Sequence, residues 1–215
     1  MKNLKTVFFS LLAVVAMTNH SKAQDAAMDL REKLSFGAKV GLNNSNVYDT
    51  KNDEFRADSK FGLAGGIFVG IPLSKYIGIQ PELLVSQRGF KSENSILGNT
   101  YSLKRTTSYV DIPLMISIKP SEFISILAGP QYSFLVQQND TYDNGTTTVE
   151  QQTDFKNDNV RKNTLCFTGG LDINLKHIVI GARAGWDILN NEGDGSSNTP
   201  RYKNMWYQGT IGYRF

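Results

Sequence analysis

Two carboxylates in this 215-residue chain, Glu82 and Asp111, lie on neighbouring segments and could in principle act as an acid–base pair. Little else offers reactive chemistry. The sequence has two histidines: His20 falls in an N-terminal leader, and His177 falls in a short turn, remote from the rim where substrate would arrive. Composition therefore excludes a His-based dyad or triad at that rim. Cys166 is the single cysteine and has no cysteine or histidine cluster around it, so it reads as a small inward side chain rather than a nucleophile or metal ligand. Asn190-Asn191-Glu192-Gly193-Asp194-Gly195 offers oxygen donors and turn glycines without EF-hand spacing, which is the composition of a polar hairpin loop. No catalytic, cofactor-binding or metal-binding residue is assigned. Glu82 and Asp111 fit better in a charge network with Lys39, Arg88 and Arg183, because buried charges must be paired.

The segments that carry these charges alternate apolar and polar residues with period two, as strands do when their two faces meet different media. About eight such segments follow one another: Leu34 to Asn46, Lys60 to Pro72, Tyr76 to Phe90, Tyr101 to Lys119, Phe123 to Gln138, Asn163 to Leu175, Ile178 to Asn190, and Asn204 to Phe215. Their connections alternate in length. Leu73 to Lys75, Pro120 to Glu122 and Lys176-His177 are tight turns, whereas Val47 to Ser59, Lys91 to Thr100, Asn139 to Lys162 and Asn191 to Lys203 are long and polar. An even number of strands, with short turns on one side and long loops on the other, predicts an all-β, eight-stranded antiparallel up-and-down transmembrane β-barrel with both termini on the periplasmic side.

Parity assigns the apolar residues outward, among them Val40, Leu63, Val85, Ile112, Leu171 and Ile180. Lys39, Gln80, Glu82, Arg88, Asp111, Gln131, Asp172, Asn174, Arg183, Asp187 and Arg214 fall inward. A soluble lipocalin-like barrel would invert this arrangement, and charges of both signs on one face suit a paired lumen. Phe61, Phe134, Phe167, Trp186 and Tyr207 gather near the long loops, while Phe36, Tyr213 and Phe215 gather near the short turns, as two interfacial girdles do. Pro81, Pro113 and Pro130 interrupt this pattern, since proline donates nothing to a ladder, and a bulge at any of them would shift the facing beyond it.

Both ends carry export signals. Lys2 and Lys5, the apolar run Val7 to Met17 and the small-x-small Ser21-Lys22-Ala23 predict a signal peptide at 1–23. A short periplasmic segment at 24–33 and the barrel at 34–215 follow. The final strand alternates to Tyr213 and Phe215, the expected assembly signal read by the barrel assembly machinery. The full sequence has 23 basic and 20 acidic side chains, and loss of Lys2, Lys5 and Lys22 leaves the mature chain formally neutral. Charge therefore indicates no nucleic-acid partner.

Ile79-Gln80-Pro81-Glu82-Leu83, Tyr109-Val110-Asp111-Ile112-Pro113-Leu114 and Ala128-Gly129-Pro130-Gln131 resemble successive signatures of the PorT-like outer-membrane β-barrel family. Gly169 to Asp172 and Gly181 to Gly185 resemble that family's last hairpin, so the similarity spans nearly the whole mature chain. The resemblance implies a porin-like label and, through the founding member, an association with protein secretion across the outer membrane. Eight strands enclose an interior that side chains fill. The sequence-based expectation is thus a non-enzymatic outer-membrane barrel with outer-membrane lipid around it. Its packed polar lumen contains Lys39, Glu82, Arg88, Asp111, Asp172, Arg183, Asp187 and Arg214, and its extracellular loops carry a structural or interaction role. The alternatives are a narrow channel, a component of a secretion or envelope assembly whose partner is unknown, or a barrel-embedded enzyme.

Overall fold

A computed structural model describes residues 29–49, 57–96, 99–143, 148–153, 162–190 and 202–215. The expected signal peptide and most of the turn-rich stretch after Asn190 lie outside these residues.

Nine strands form: β1 (Ser35–Asp49), β2 (Asp58–Pro72), β3 (Ile77–Ile96), β4 (Asn99–Ile118), β5 (Ile124–Asp143), β6 (Thr148–Thr153), β7 (Asn163–Leu175), β8 (Ile178–Asp187) and β9 (Tyr202–Arg214). Eight of them pair in a ring, which the β4–β5 and β1–β9 ladders close, and all these ladders are antiparallel. Closure is what makes strands viable in lipid, because it leaves no backbone edge to be satisfied by water. The ninth strand, β6, stands outside the ring and pairs with β5 alone among the described residues.

Where the strands cross the apolar band, their burial alternates residue by residue; β5 repeats exposed and buried positions from Ile124 to Phe134. Val40, Phe61, Leu63 and Ile211 are each more than 60% exposed on the outer wall, whereas Asn43, Ser86 and Ser133 are fully enclosed. The wall that meets solvent in an isolated chain is thus the apolar one, and the polar wall is inside. This is the inverse of a soluble barrel.

Two expectations are corrected. Lys91 to Thr100 is not a long loop, because β3 and β4 continue as a hairpin whose register runs to Ile96 opposite Asn99. Likewise Asn139 to Lys162 is not all loop: β5 extends to Asp143 and pairs with β6. These extensions have polar residues on both faces, so period-two contrast vanishes where no lipid touches the strand.

The three prolines introduce no bulge. The register is continuous across all three, and the shifts fall instead between Ser59 and Ala64 on β2 and between Ser108 and Tyr109 on β4. Each proline instead opens the ladder toward the preceding strand. Pairing stops at Phe68↔Glu82 and resumes at Ile71↔Ile79, around Pro81. It breaks between Pro81↔Leu114 and Leu84↔Asp111, around Pro113, and between Pro113↔Gln131 and Ile116↔Ala128, around Pro130. Each gap sits where the ring nitrogen cannot donate, and the strands on either side keep their phase.

Candidate functional site: the charged lumen

Inward parity delivers side chains from every ring strand to a narrow interior, where charges must find partners at short range. They do so in layers. Toward the short turns, Lys39 on β1 faces Gly66 on β2 and Gly212 on β9, neither of which occupies the space beside its long side chain. Its Nζ meets Glu82 Oε2 at 2.5 Å. The other oxygen, Glu82 Oε1, accepts from Gln80 Nε2 at 2.9 Å and lies 3.7 Å from Arg183 Nη2.

Arg183 forks onto Asp172, with Nη1 to Oδ1 at 2.6 Å and Nη2 to Oδ2 at 2.9 Å. The residue opposite Asp172 on β8 is Gly181, where an added Cβ would lie 2.7 Å from Asp172 Oδ1 and 2.5 Å from Thr210 Oγ1. Glycine is required there because the fork fills the volume of a side chain. Two cations and two carboxylates balance in this layer.

A second layer surrounds Arg88. Its Nη2 lies 2.6 Å from Asp111 Oδ2, to which Ser86 Oγ also donates, and reaches Ser133 Oγ at 3.4 Å. The guanidinium carbon sits 3.7 Å from the Trp206 ring centroid and 4.7 Å from that of Tyr109. Arg88 Nε and Nη1 make no hydrogen bond, and the π faces over the cation offset that loss. Trp206 reaches Arg88 by lying across Gly185, whose missing Cβ leaves room for the indole. Asp187 accepts from Cys166 Sγ at 3.1 Å and from the Asn204 amides.

Nearer the opposite mouth, Arg105 forks onto Asp140 at 2.8 and 2.7 Å and donates to Tyr202 Oη at 3.0 Å. Beside it Val47, Phe90 and Tyr202 form a small apolar core. At the short-turn mouth, Asn174 donates to Ser125 Oγ at 3.0 Å, and Arg214 donates to Asn174 Oδ1 and to the Lys176 carbonyl. Below that mouth Asp29 accepts from Arg31 and pairs with Lys75 at 3.2 Å, and these hydrogen bonds hold its carboxyl well below the usual carboxylate range.

All eight residues assigned to the lumen lie inward, but the structure divides them. Lys39, Glu82, Asp172 and Arg183 join in one cluster, and Arg88 pairs with Asp111 in another. Asp187 and Arg214 stand apart: among the described residues neither forms an ion pair, and each hydrogen-bonds to neutral groups instead. Sequence reasoning missed Trp206, Tyr109 and the Arg105–Asp140–Tyr202 group. Trp206 shares its parity with Asn204, Gln208 and Thr210, which was the available signal. The lumen is also less polar than expected, since Phe68, Leu84, Met115 and Leu127 are buried within it.

At the C-terminus, the Phe215 amide donates to the Phe36 carbonyl at 2.9 Å, and their rings stack at 5.2 Å. Tyr213 stacks on His177 at 5.4 Å. The two assigned assembly-signal residues thus belong to the aromatic girdle at the short-turn end.

A closed barrel of eight strands, with an apolar outer wall and ion pairs inside, defines an integral membrane barrel of the outer-membrane type. The sequence matches the outer membrane protein beta-barrel domain family over residues 22–191, and the chain belongs to that family. Membership and architecture together place the protein in the outer membrane. No curated protein sequence matches it.

Among solved structures, it resembles Ail, the attachment invasion locus protein of Yersinia pestis, with 14% identity and a TM-score of 0.43, covering 84% of this chain and 98% of that one. Neisserial surface protein A matches at 10% identity and TM-score 0.48, covering 86% and 100%. The outer membrane protease OmpT of Escherichia coli matches at 11% identity and TM-score 0.37, covering 85% and 94%.

Proposed function

We propose that this protein is a non-enzymatic, non-conducting outer-membrane barrel whose lumen is a structural plug and whose extracellular segments carry its interactions. The observation that carries this reading is the stacking of charge-paired layers along the interior. The Lys39–Glu82–Arg183–Asp172 cluster, the Arg88–Asp111 pair under Trp206 and the Arg105–Asp140 fork leave each level of the lumen occupied. Permeation would require breaking a buried pair, which costs several kcal/mol, about 3–5 when one partner is left behind.

The long β3–β4 and β5–β6 extensions lie beyond the apolar wall and supply interaction surface on the outer side. The PorT-like signatures support placing the chain among barrels of that kind, the leader ending Ser21-Lys22-Ala23 supports cleavage after Ala23, and the alternating last strand supports recognition of Tyr213 and Phe215 by the assembly machinery.

Single-channel recording in planar bilayers tests the plug. Purified, folded protein is expected to add no discrete conductance steps, while the Arg88→Ala and Asp111→Ala variants are expected to flicker open. Stable steps from the unaltered protein would overturn the plug reading and favour a narrow channel.

A further inference from the structure

On the outer wall the apolar residues run up to Phe61 on β2, Val85 on β3 and Val110 on β4, and between β3 and β4 polar cross-strand pairs begin above them. Gln87 faces Ser108, and next comes Gly89 opposite Thr106. Glycine places no side chain at that level, and the Lys60 ammonium from β2 donates to Thr106 Oγ1 at 2.5 Å. One outward position higher, Lys91 stands directly opposite Lys104, and both side chains are exposed. Phe90 and Leu103, their chain neighbours, turn inward to the small core with Val47, which fixes the two lysines on the outer wall.

Like charges directly opposite on neighbouring strands destabilise a sheet. Here the charges of Lys104 and Lys91 also act on Lys60. Asp58, opposite Lys91 on β2, supplies one carboxylate against three ammoniums, a net charge of +2 for the four side chains. Among the described residues none of the three lysines forms an ion pair. These four side chains thus carry an excess of positive charge just above the apolar part of the wall. A multivalent anion would convert that cost into binding energy, because charge-assisted hydrogen bonds to phosphate oxygens are strong and three ammoniums can share one phosphate.

We propose that Lys60, Lys91 and Lys104 form a binding site for the phosphate of an outer-leaflet glycolipid. The acyl chains of that lipid would lie against the apolar wall below. The proposal rests on the outer-membrane placement but not on the closed lumen, so a conducting barrel would leave it standing.

The test compares the folded full-length mature protein with its Lys91→Gln/Lys104→Gln variant in detergent micelles, using native mass spectrometry with bisphosphorylated lipid A and with the same lipid dephosphorylated. The expected result is a retained adduct with the phosphorylated lipid, weakened about tenfold both by the double substitution and by loss of the phosphates. Lys104→Gln alone should change sign with its surroundings. It relieves repulsion in lipid-free micelles, raising the unfolding temperature by about 1–3 °C, and it reduces the stabilisation that lipid A confers. Equal binding of the two lipids, or undiminished binding by the double variant, would overturn the proposal. Equal stabilisation by inorganic phosphate alone would overturn the lipid as its source.

Discussion

The Arg88 guanidinium lies 3.7 Å from the centroid of the Trp206 ring while one of its nitrogens holds Asp111 at 2.6 Å, so a fully buried cation is shared between a π face and a carboxylate. The arrangement joins the β3–β4 hairpin across the lumen to β9, which lies far along the sequence. It also accounts for two arginine nitrogens that have no hydrogen-bond acceptor.

Removing the cation should be costly. Arg88→Ala strands Asp111 without a counter-charge and is expected to lower stability by about 3–5 kcal/mol in urea titrations followed by heat-modifiable gel mobility. Arg88→Met combined with Asp111→Asn removes both charges and should cost far less than Arg88→Ala alone. An Arg88→Ala barrel as stable as the parent would show that the pair does not contribute to the fold.

The Asp172–Arg183 fork lends itself to a double-mutant cycle. Asp172→Ala leaves Arg183 with the 3.7 Å contact to Glu82 and a hydrogen bond to the Leu171 carbonyl, and Arg183→Ala strands Asp172 while Glu82 keeps Lys39. The two substitutions together should therefore cost less than the sum of the singles, with a coupling energy of about 0.5–3 kcal/mol. Strict additivity in the same urea titration would mean that the fork seen at 2.6 and 2.9 Å contributes no energy as a pair.

What the sequence made legible is tied to what lipid imposes. Val40, Ile112 and Ile180 alternate with Lys39, Asp111 and Gly181 because the membrane penalises any strand that breaks phase. Ring number, order and facing were therefore readable inside the apolar band. Above it the penalty ends. Lys91 to Ser95 and Asn139 to Asp143 are polar on both faces, and their strand character appears only in the pairing of β3 with β4 and of β5 with β6.

Within the lumen, parity located the charges but not their partners. Whether Asp187 meets a cation or the Asn204 amides depends on barrel stagger, which a single sequence does not encode. Trp206 was obscure for a related reason: a large aromatic near the outer end suits the girdle as well as the interior. Only the gap left by Gly185 on the neighbouring strand admits it inward.

Facing can be tested with one outward and one inward pair of substitutions on the same two strands. Leu171→Arg on β7 and Ile180→Arg on β8 put a charge on the lipid wall at adjoining positions, since Leu171 pairs with Ala182 and Ile173 with Ile180. Each should cost roughly 2–4 kcal/mol and reduce the folded fraction in bilayers. In micelles, where a flexible surface lets the arginine reach water, the loss should shrink. Inward, parity alone would make Gly181→Ser mild, since serine is small and polar and faces a polar lumen. The geometry reverses that expectation, because its Cβ would lie within 2.7 Å of Asp172 Oδ1 and crowd Thr210. Gly181→Ser should therefore cost about 1–3 kcal/mol in bilayer and micelle alike. Combining it with Asp172→Ala should recover part of that loss, by vacating the volume it needs. Medium-dependent cost outside and medium-independent cost inside is the signature of the assigned facing. A Gly181→Ser penalty that Asp172→Ala leaves unchanged would place the steric conflict elsewhere than at the fork.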